Sequence, residues 1–302
     1  MNSFIWIPTA VLGLLSLVLF CLSFVPRYQE WTAERLARSV ALILTPEALP
    51  MVCKRVARRM RGTTIGGVVG MLAGLAILSN DPPLAQLPLS TMLWVGTVYA
   101  GLSVGAAAAA VISGPRLRGD EVRFARSEAT GVSDYVAPIE RHGARIAVAL
   151  AVAVLLVSLA LSTTGLVSFA TPLSLTGGGI LGVLAIAALV LFELYGRWIV
   201  RRGQPAGSPA QLSWHDALRS MLLRDLATAP IALGSYGFIV GITELSQALA
   251  AAGANPIGMM IAANIGFNAA AYTGVLVAIF VVVSKPQRYF RRRLWPELAE
   301  GL

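Results

Sequence analysis

Glu244 stands about 15 residues into the apolar run Ala229–Leu249, on the side of that run where no Lys or Arg occurs. An ionised group near the centre of a bilayer costs at least about 2.5 kcal/mol, so in lipid this carboxyl must face water, a hydrogen-bonding neighbour or a proton. The following apolar run supplies neighbours. Asn264, Asn268 and Tyr272 recur every four residues, and on a helix they share one face. A carboxyl at the mouth of a polar stripe is chemistry for a proton, a cation or the donor groups of a small solute. The competing reading is interhelical hydrogen bonding, worth about 0.6 kcal/mol per contact. A second acid in an apolar run, Glu193, precedes Arg197 by one helical turn and is expected to form a local ion pair.

Few other residues carry chemistry. His142 and His215 are the only histidines, and neither is spaced from Cys21, Cys53 or the other as a metal ligand would be. Two isolated cysteines predict no disulfide and no redox pair. There is no Gly-x-x-x-x-Gly-Lys-Ser/Thr phosphate loop, so ATP hydrolysis by that route is excluded. Gly234-Ser-Tyr-Gly237 lacks the spacing of a nucleophile elbow. The expectation is a protein that is not an enzyme, with no catalytic residue, cofactor or metal.

The elements that position Glu244 follow from composition. Hydrophobic residues form 56% of the 302-residue chain and charged residues 13%, against about 25% charged in an average soluble domain. Mean hydropathy is +0.72. The reading is an all-α polytopic transmembrane helical bundle of about seven spans, at Ile5–Val25, Gly62–Leu78, Leu89–Ile112, Ala144–Leu161, Leu181–Ile199, Ala229–Leu249 and Ile257–Val283. The second run is short, and the amphipathic stretch before it is expected to continue into the membrane.

All 24 basic residues fall on one side of this arrangement, while the loops Ser79–Pro88, Ser162–Gly179 and Ala250–Pro256 contain none. Basic loops stay in the cytoplasm, so the amino terminus is predicted outside and the carboxyl terminus inside a plasma (cytoplasmic) membrane. Arg27 lies behind the first apolar run, and that run is read as a retained span rather than a cleaved signal. A net charge of +9 without a nucleic-acid-binding signature points to anionic membrane lipid, not nucleic acid, as the counterion.

Glycines recur at 62, 66, 70 and 74, at 101 and 105, and at 237 and 241. In water each would cost roughly 0.5 to 1 kcal/mol against alanine. In lipid, small residues four apart flatten a helix face and admit a second helix. These glycines are therefore assigned to glycine-zipper packing, with a sliding interface or subunit contact as the alternative use.

Two stretches suggest an internal repeat. Val-Ile-Ser-Gly-Pro115 and Val-Val-Ser-Lys-Pro286 lie 171 residues apart, and this offset carries Gly66 and Gly70 onto Gly237 and Gly241. Pro46-Glu47-Ala48-Leu49 resembles His215-Asp216-Ala217-Leu218, with Thr45 as a cap and Ser213 with Asp216 as a capping box. The chain divides into a first membrane unit (1–142), a linking span and outer loop (143–177) and a second membrane unit (178–302), a parallel three-plus-one-plus-three repeat. That topology is similar to SWEET-type sugar carriers, but the only Pro-Gln, Pro286-Gln287, lies outside the first span of either unit, where those carriers place theirs.

The third loop contains Arg123-x-Ala125 and Asp134-Tyr135-x-x-Pro138. About 17 residues here resemble a cytoplasmic loop of uncharacterised actinobacterial-type polytopic membrane proteins. The resemblance implies a setting beside ATP-driven export systems and no activity. Arg123, Arg126, Asp134, Tyr135 and Pro138 are accordingly the candidate docking residues for a cytoplasmic ATPase or other soluble partner.

The function expected is a permease-like or transport-associated component, with Glu244, Asn264, Asn268 and Tyr272 as the solute pathway. The alternative is a non-transporting scaffold or assembly factor whose glycine faces hold other membrane subunits or further copies. Intramembrane catalysis ranks third.

Overall fold

The structure is a computed structural model that describes residues 6–80, 90–112, 130–169, 172–173, 176–202, 209–253 and 288–295. Among the described residues the regular structure is helical, with no strand. In chain order the helices are α1 Trp6–Leu22, α2 Pro26–Val40, α3 Leu49–Asn80, α4 Ser90–Ile112, α5 Val132–Tyr135, α6 Pro138–Thr163, α7 Gly177–Arg201, α8 Pro209–Ala251 and α9 Tyr289–Leu294.

Five stretches are long and apolar enough to cross a membrane: Leu49–Ser79, Trp94–Ile112, Pro138–Thr163, Gly177–Arg201 and Ala210–Ala251. A sixth arises if α1 and α2, bent through 96°, are taken as one. The expected run Ile257–Val283 lies outside the described residues. Large apolar side chains face outward along these helices: Leu14 is 65% exposed, Leu156 60% and Leu194 63%. In water such surfaces drive aggregation, whereas lipid accepts them. The architecture fits a multi-pass membrane protein.

Two amphipathic segments are continuous with the apolar runs that follow them, the first as expected and the second not. The basic amphipathic segment before Gly62 and the apolar run after it form one 32-residue helix, α3. The segment around Ser213–Asp216 and the run Ala229–Leu249 form one 43-residue helix, α8, which passes through Pro230. A proline removes one intrahelical hydrogen bond, but protein packed around a spanning helix supports it through the break, and Pro230 is fully buried. The capping box expected at Ser213 is corrected accordingly. Because the helix begins at Pro209, Ser213 lies inside it and bonds the Ala210 carbonyl.

Contacts group the chain into two compact units that are not consecutive segments. The first comprises residues 1–141, 191–228 and 286–302; the second comprises 142–190 and 229–285.

In the first unit α3 and α4 lie backbone to backbone. A Cβ placed on Gly66 would run into the Gly101 carbonyl oxygen and come within 2.7 Å of Gly105 Cα. A Cβ on Gly101 would meet the Gly66 carbonyl, and one on Gly105 the Gly62 carbonyl. The residue that costs a helix stability in water is here the only one that fits. Gly70 meets the Thr97 carbonyl of α4 in the same way, and Gly74 meets the Thr97 and Trp94 side chains.

The hub of the first unit is the amino-terminal half of α8. Trp214, Ala217, Leu222, Leu223, Leu226 and Ala227 are buried there, and so are Asp216, Arg219, Ser220 and Asp225. A stretch buried on all sides that carries charges must have its partners built around it.

In the second unit the close approaches join α6, α7 and α8. A Cβ on Gly234 would come within 2.7 Å of the Ala147 carbonyl carbon, and one on Gly241 within 3.0 Å of Val154 Cγ1. A Cβ on Gly237 would meet Leu181 Cβ at 3.2 Å.

Candidate functional site

In the second unit Glu244 reaches from α8 to the first turn of α7. Its two carboxylate oxygens share the Gly178 N–H at 3.2 and 3.1 Å. The N–H groups of a first helical turn have no partner inside the helix, and α7 satisfies two of them from different sources. Gly179 N donates to the Thr176 hydroxyl at 3.1 Å, and Gly178 N donates to Glu244. An anion at a helix amino terminus is also favoured by the aligned peptide dipoles.

The sequence Gly177-Gly-Gly explains the approach. A Cβ at Gly177 would lie 3.0 Å from one Glu244 oxygen, and one at Gly178 would lie 2.8 Å from the other and 2.7 Å from Gly241 Cα. Glu244 is therefore placed by the glycines on both helices. Asn264, Asn268 and Tyr272 lie outside the described residues.

In the first unit a polar network gathers on α8. Asp216, fully buried, accepts from the Tyr135 hydroxyl at 2.9 Å and the Trp295 indole N–H at 3.0 Å. Ser220 donates to the Tyr135 carbonyl at 2.8 Å, and the Arg219 guanidinium, near the Tyr135 ring, donates to the Arg202 carbonyl. Burial pushes the Tyr135 hydroxyl above its ordinary value, and the charge of Asp216 adds to that push.

One turn further along, Arg224 pairs with Glu140 at 2.8 Å and Asp225 with Arg59. The helix thus binds α5, α6, α3 and the residue following α9 through charges that hydropathy alone does not flag.

The Asp-Tyr-x-x-Pro element of the third loop has an internal use. Asp134 accepts from the Gly131 N–H at 2.7 Å and pairs with Arg293 at 3.3 Å. Tyr135 is 1% exposed, so its ring is not a docking surface; Pro138 and Ile139 remain exposed. Arg123 and Arg126 lie outside the described residues. Glu193 and Arg197 pair at 3.5 Å as their spacing predicts, on an exposed face.

The third feature lies at the elbow after α1. Arg61 of α3 donates to the Ser23 hydroxyl at 3.2 Å and the Ser23 carbonyl at 3.3 Å, and its guanidinium sits 3.9 Å over the Phe24 ring. Gln29 donates to the same carbonyl at 2.8 Å. At the far end of α2, Ala41 holds a left-handed backbone at φ 57°. Arg291 donates to its carbonyl at 2.6 Å and Arg288 to that of Ser39 at 3.1 Å. Two cations thus occupy the negative end of a helix.

No His, Cys, Asp or Glu cluster suited to a metal ion occurs among the described residues. No family model matches the chain, and neither curated proteins nor solved structures give a match.

Proposed function

We propose that this chain is a permease-like or transport-associated component of the cytoplasmic membrane, working with a cytoplasmic ATPase. The arrangement has about seven spans, the amino terminus outside and the carboxyl terminus inside. The one-sided distribution of the 24 basic residues supports the orientation. The 171-residue offset supports the parallel repeat, and the backbone contact of α3 with α4 supports the glycine zipper. The loop resemblance supports the export-system setting.

The observation that carries the transport reading is the contact of Glu244. Its carboxylate divides one N–H between two oxygens at 3.1 and 3.2 Å, longer than the roughly 2.7–2.9 Å of a strong charge-assisted bond. A proton, a cation or a solute donor can compete with such a contact. Gly178 and Gly241 put α7 and α8 in close backbone contact beside it, and small residues at such a contact suit helices that shift against one another.

A scaffold or assembly factor is the second reading. It is favoured by the first unit, where Arg59 pairs with Asp225, Arg224 with Glu140 and Tyr135 with Asp216 while apolar faces remain exposed. Enzymatic activity is not part of either reading.

Single cysteines at 244, 264, 268 and 272, in a Cys21→Ser, Cys53→Ser background, test the two readings with a membrane-impermeant thiol reagent applied from outside. Labelling that reaches 268 or 272 is expected for a permease. Labelling confined to 244, or none, removes the transport reading and leaves the scaffold.

A further inference from the structure

A cleft of about 380 Å³ opens between α2 and α3, and Lys54, Arg58, Arg61, Gln29 and Cys53 are among the residues that line it. Lys54, Arg58 and Arg61 follow one another by four and three residues and so share a face of α3. The lining contains three cations and no carboxylate.

The three cations are not equivalent. Arg61 is fixed by Ser23 and the Phe24 ring. Lys54 and Arg58 are exposed, and among the described residues they have no hydrogen-bond or ion-pair partner. Like charges held together repel one another; the charge of Glu30 reaches Cys53 in the wall but offsets only part of three cations, so the cleft favours an added anion.

Its position indicates which kind. α2 leaves the apolar α1 at 96° and buries Ala33, Ala37 and Val40. It exposes Trp31, with Phe24 and Val25 exposed just before it. An amphipathic helix with outward aromatic and aliphatic residues beside an apolar span has the character of a helix lying in the headgroup layer. We propose that the cleft between α2 and α3 is a binding site for a phosphate-bearing anion, with Lys54 and Arg58 as its mobile arms and Arg61 as its fixed floor. An anionic phospholipid headgroup and free phosphate share that chemistry.

Cys53, a free thiol in the wall of the cleft, reports occupancy in the full chain carrying Cys21→Ser. The rate of its reaction with an uncharged maleimide is followed in phosphatidylcholine bilayers, in the same bilayers with inorganic phosphate, and in bilayers containing phosphatidylglycerol. Slower reaction with phosphatidylglycerol alone identifies a lipid headgroup; slower reaction with inorganic phosphate identifies the soluble anion. In either case Lys54→Gln with Arg58→Gln is expected to weaken the protection, for a lipid headgroup by about fivefold per charge removed, the usual effect of one basic residue near an anionic membrane surface. Phosphorus retained by the detergent-purified protein gives a second measure and falls in the double variant if the ligand is lipid. Equal rates in all three conditions, or protection that survives loss of both charges, overturn the proposal.

Discussion

Arg59 and Asp225, 166 residues apart in the chain, meet in two parallel hydrogen bonds, Nε to Oδ2 at 2.6 Å and Nη2 to Oδ1 at 2.8 Å. The Asp225 side chain is 8% exposed and that of Arg59 46%. The pair fastens α8 to α3 with a planar fork that lysine cannot reproduce. Removing Arg59 leaves the buried Asp225 carboxylate without its two hydrogen bonds and with only the more distant charge of Arg55. Arg59→Ala is expected to destabilise the protein by about 3 kcal/mol, the low end for a buried pair because Arg59 is partly wet. Arg59→Ala with Asp225→Asn should recover part of that loss. Thermal unfolding of the three variants in detergent checks this; a double variant less stable than Arg59→Ala would show that the pair is not the tie.

Tyr135 connects to pH. Its hydroxyl titrates above the ordinary value of 10.0 because burial and Asp216 both oppose the phenolate. A group whose pKa is raised in the folded state gives its stabilisation in full below the unfolded value and loses it as pH rises through the folded one. Stability is thus expected to fall above about pH 10, and Tyr135→Phe should flatten that alkaline decline while costing about 1–2 kcal/mol at neutral pH. Unfolding followed across alkaline pH decides it; an identical decline in the variant would assign the alkaline loss to other groups.

The α3–α4 contact predicts a contrast between neighbouring positions. Gly66→Ala drives a methyl group into backbone, which yields only if the helices part, so a loss of about 1–3 kcal/mol is expected. Gly67→Ala meets only the tip of Leu102, and Gly13→Ala only Met71 Cε at 3.6 Å; both should be mild. Equal stabilities for Gly66→Ala and Gly13→Ala would contradict the close approach.

These contacts were unevenly legible in the sequence. Glycine spacing announced the face of α3 because small residues four apart have one main use in lipid, and an acid in an apolar run drew attention to Glu244. Gly234, whose neighbour is the α6 backbone, falls outside that spacing pattern and went unread. The partners of Asp225, Asp216 and Glu140 were not legible, since a charge pair spanning 81 to 166 residues leaves no local pattern. Pro230 lies inside α8, where in water a proline usually ends a helix. Only the surrounding burial, which is a property of the fold, carries the helix through it.

Ala41 offers a stabilising substitution. A non-glycine residue in the left-handed region costs roughly 1–2 kcal/mol, and at Ala41 the conformation aims a carbonyl at Arg291. Ala41→Gly is expected to raise stability by up to about 1 kcal/mol with the α2–α9 contacts retained. A melting temperature that drops in this variant would mean that the strain is absent or the side chain matters.

The charged half of α8 has a consequence for the order of assembly. Asp216, Arg219, Arg224 and Asp225 fall within ten residues of one helix, and burying such charges in protein is costly until their partners are in place. Most of their partners, namely Arg59, Tyr135, Glu140 and Arg202, precede them in the chain and leave the ribosome first. Trp295 follows. The charged half of α8 is thus synthesised after most of the residues that receive it, and Trp295 is added to that network from the chain that follows.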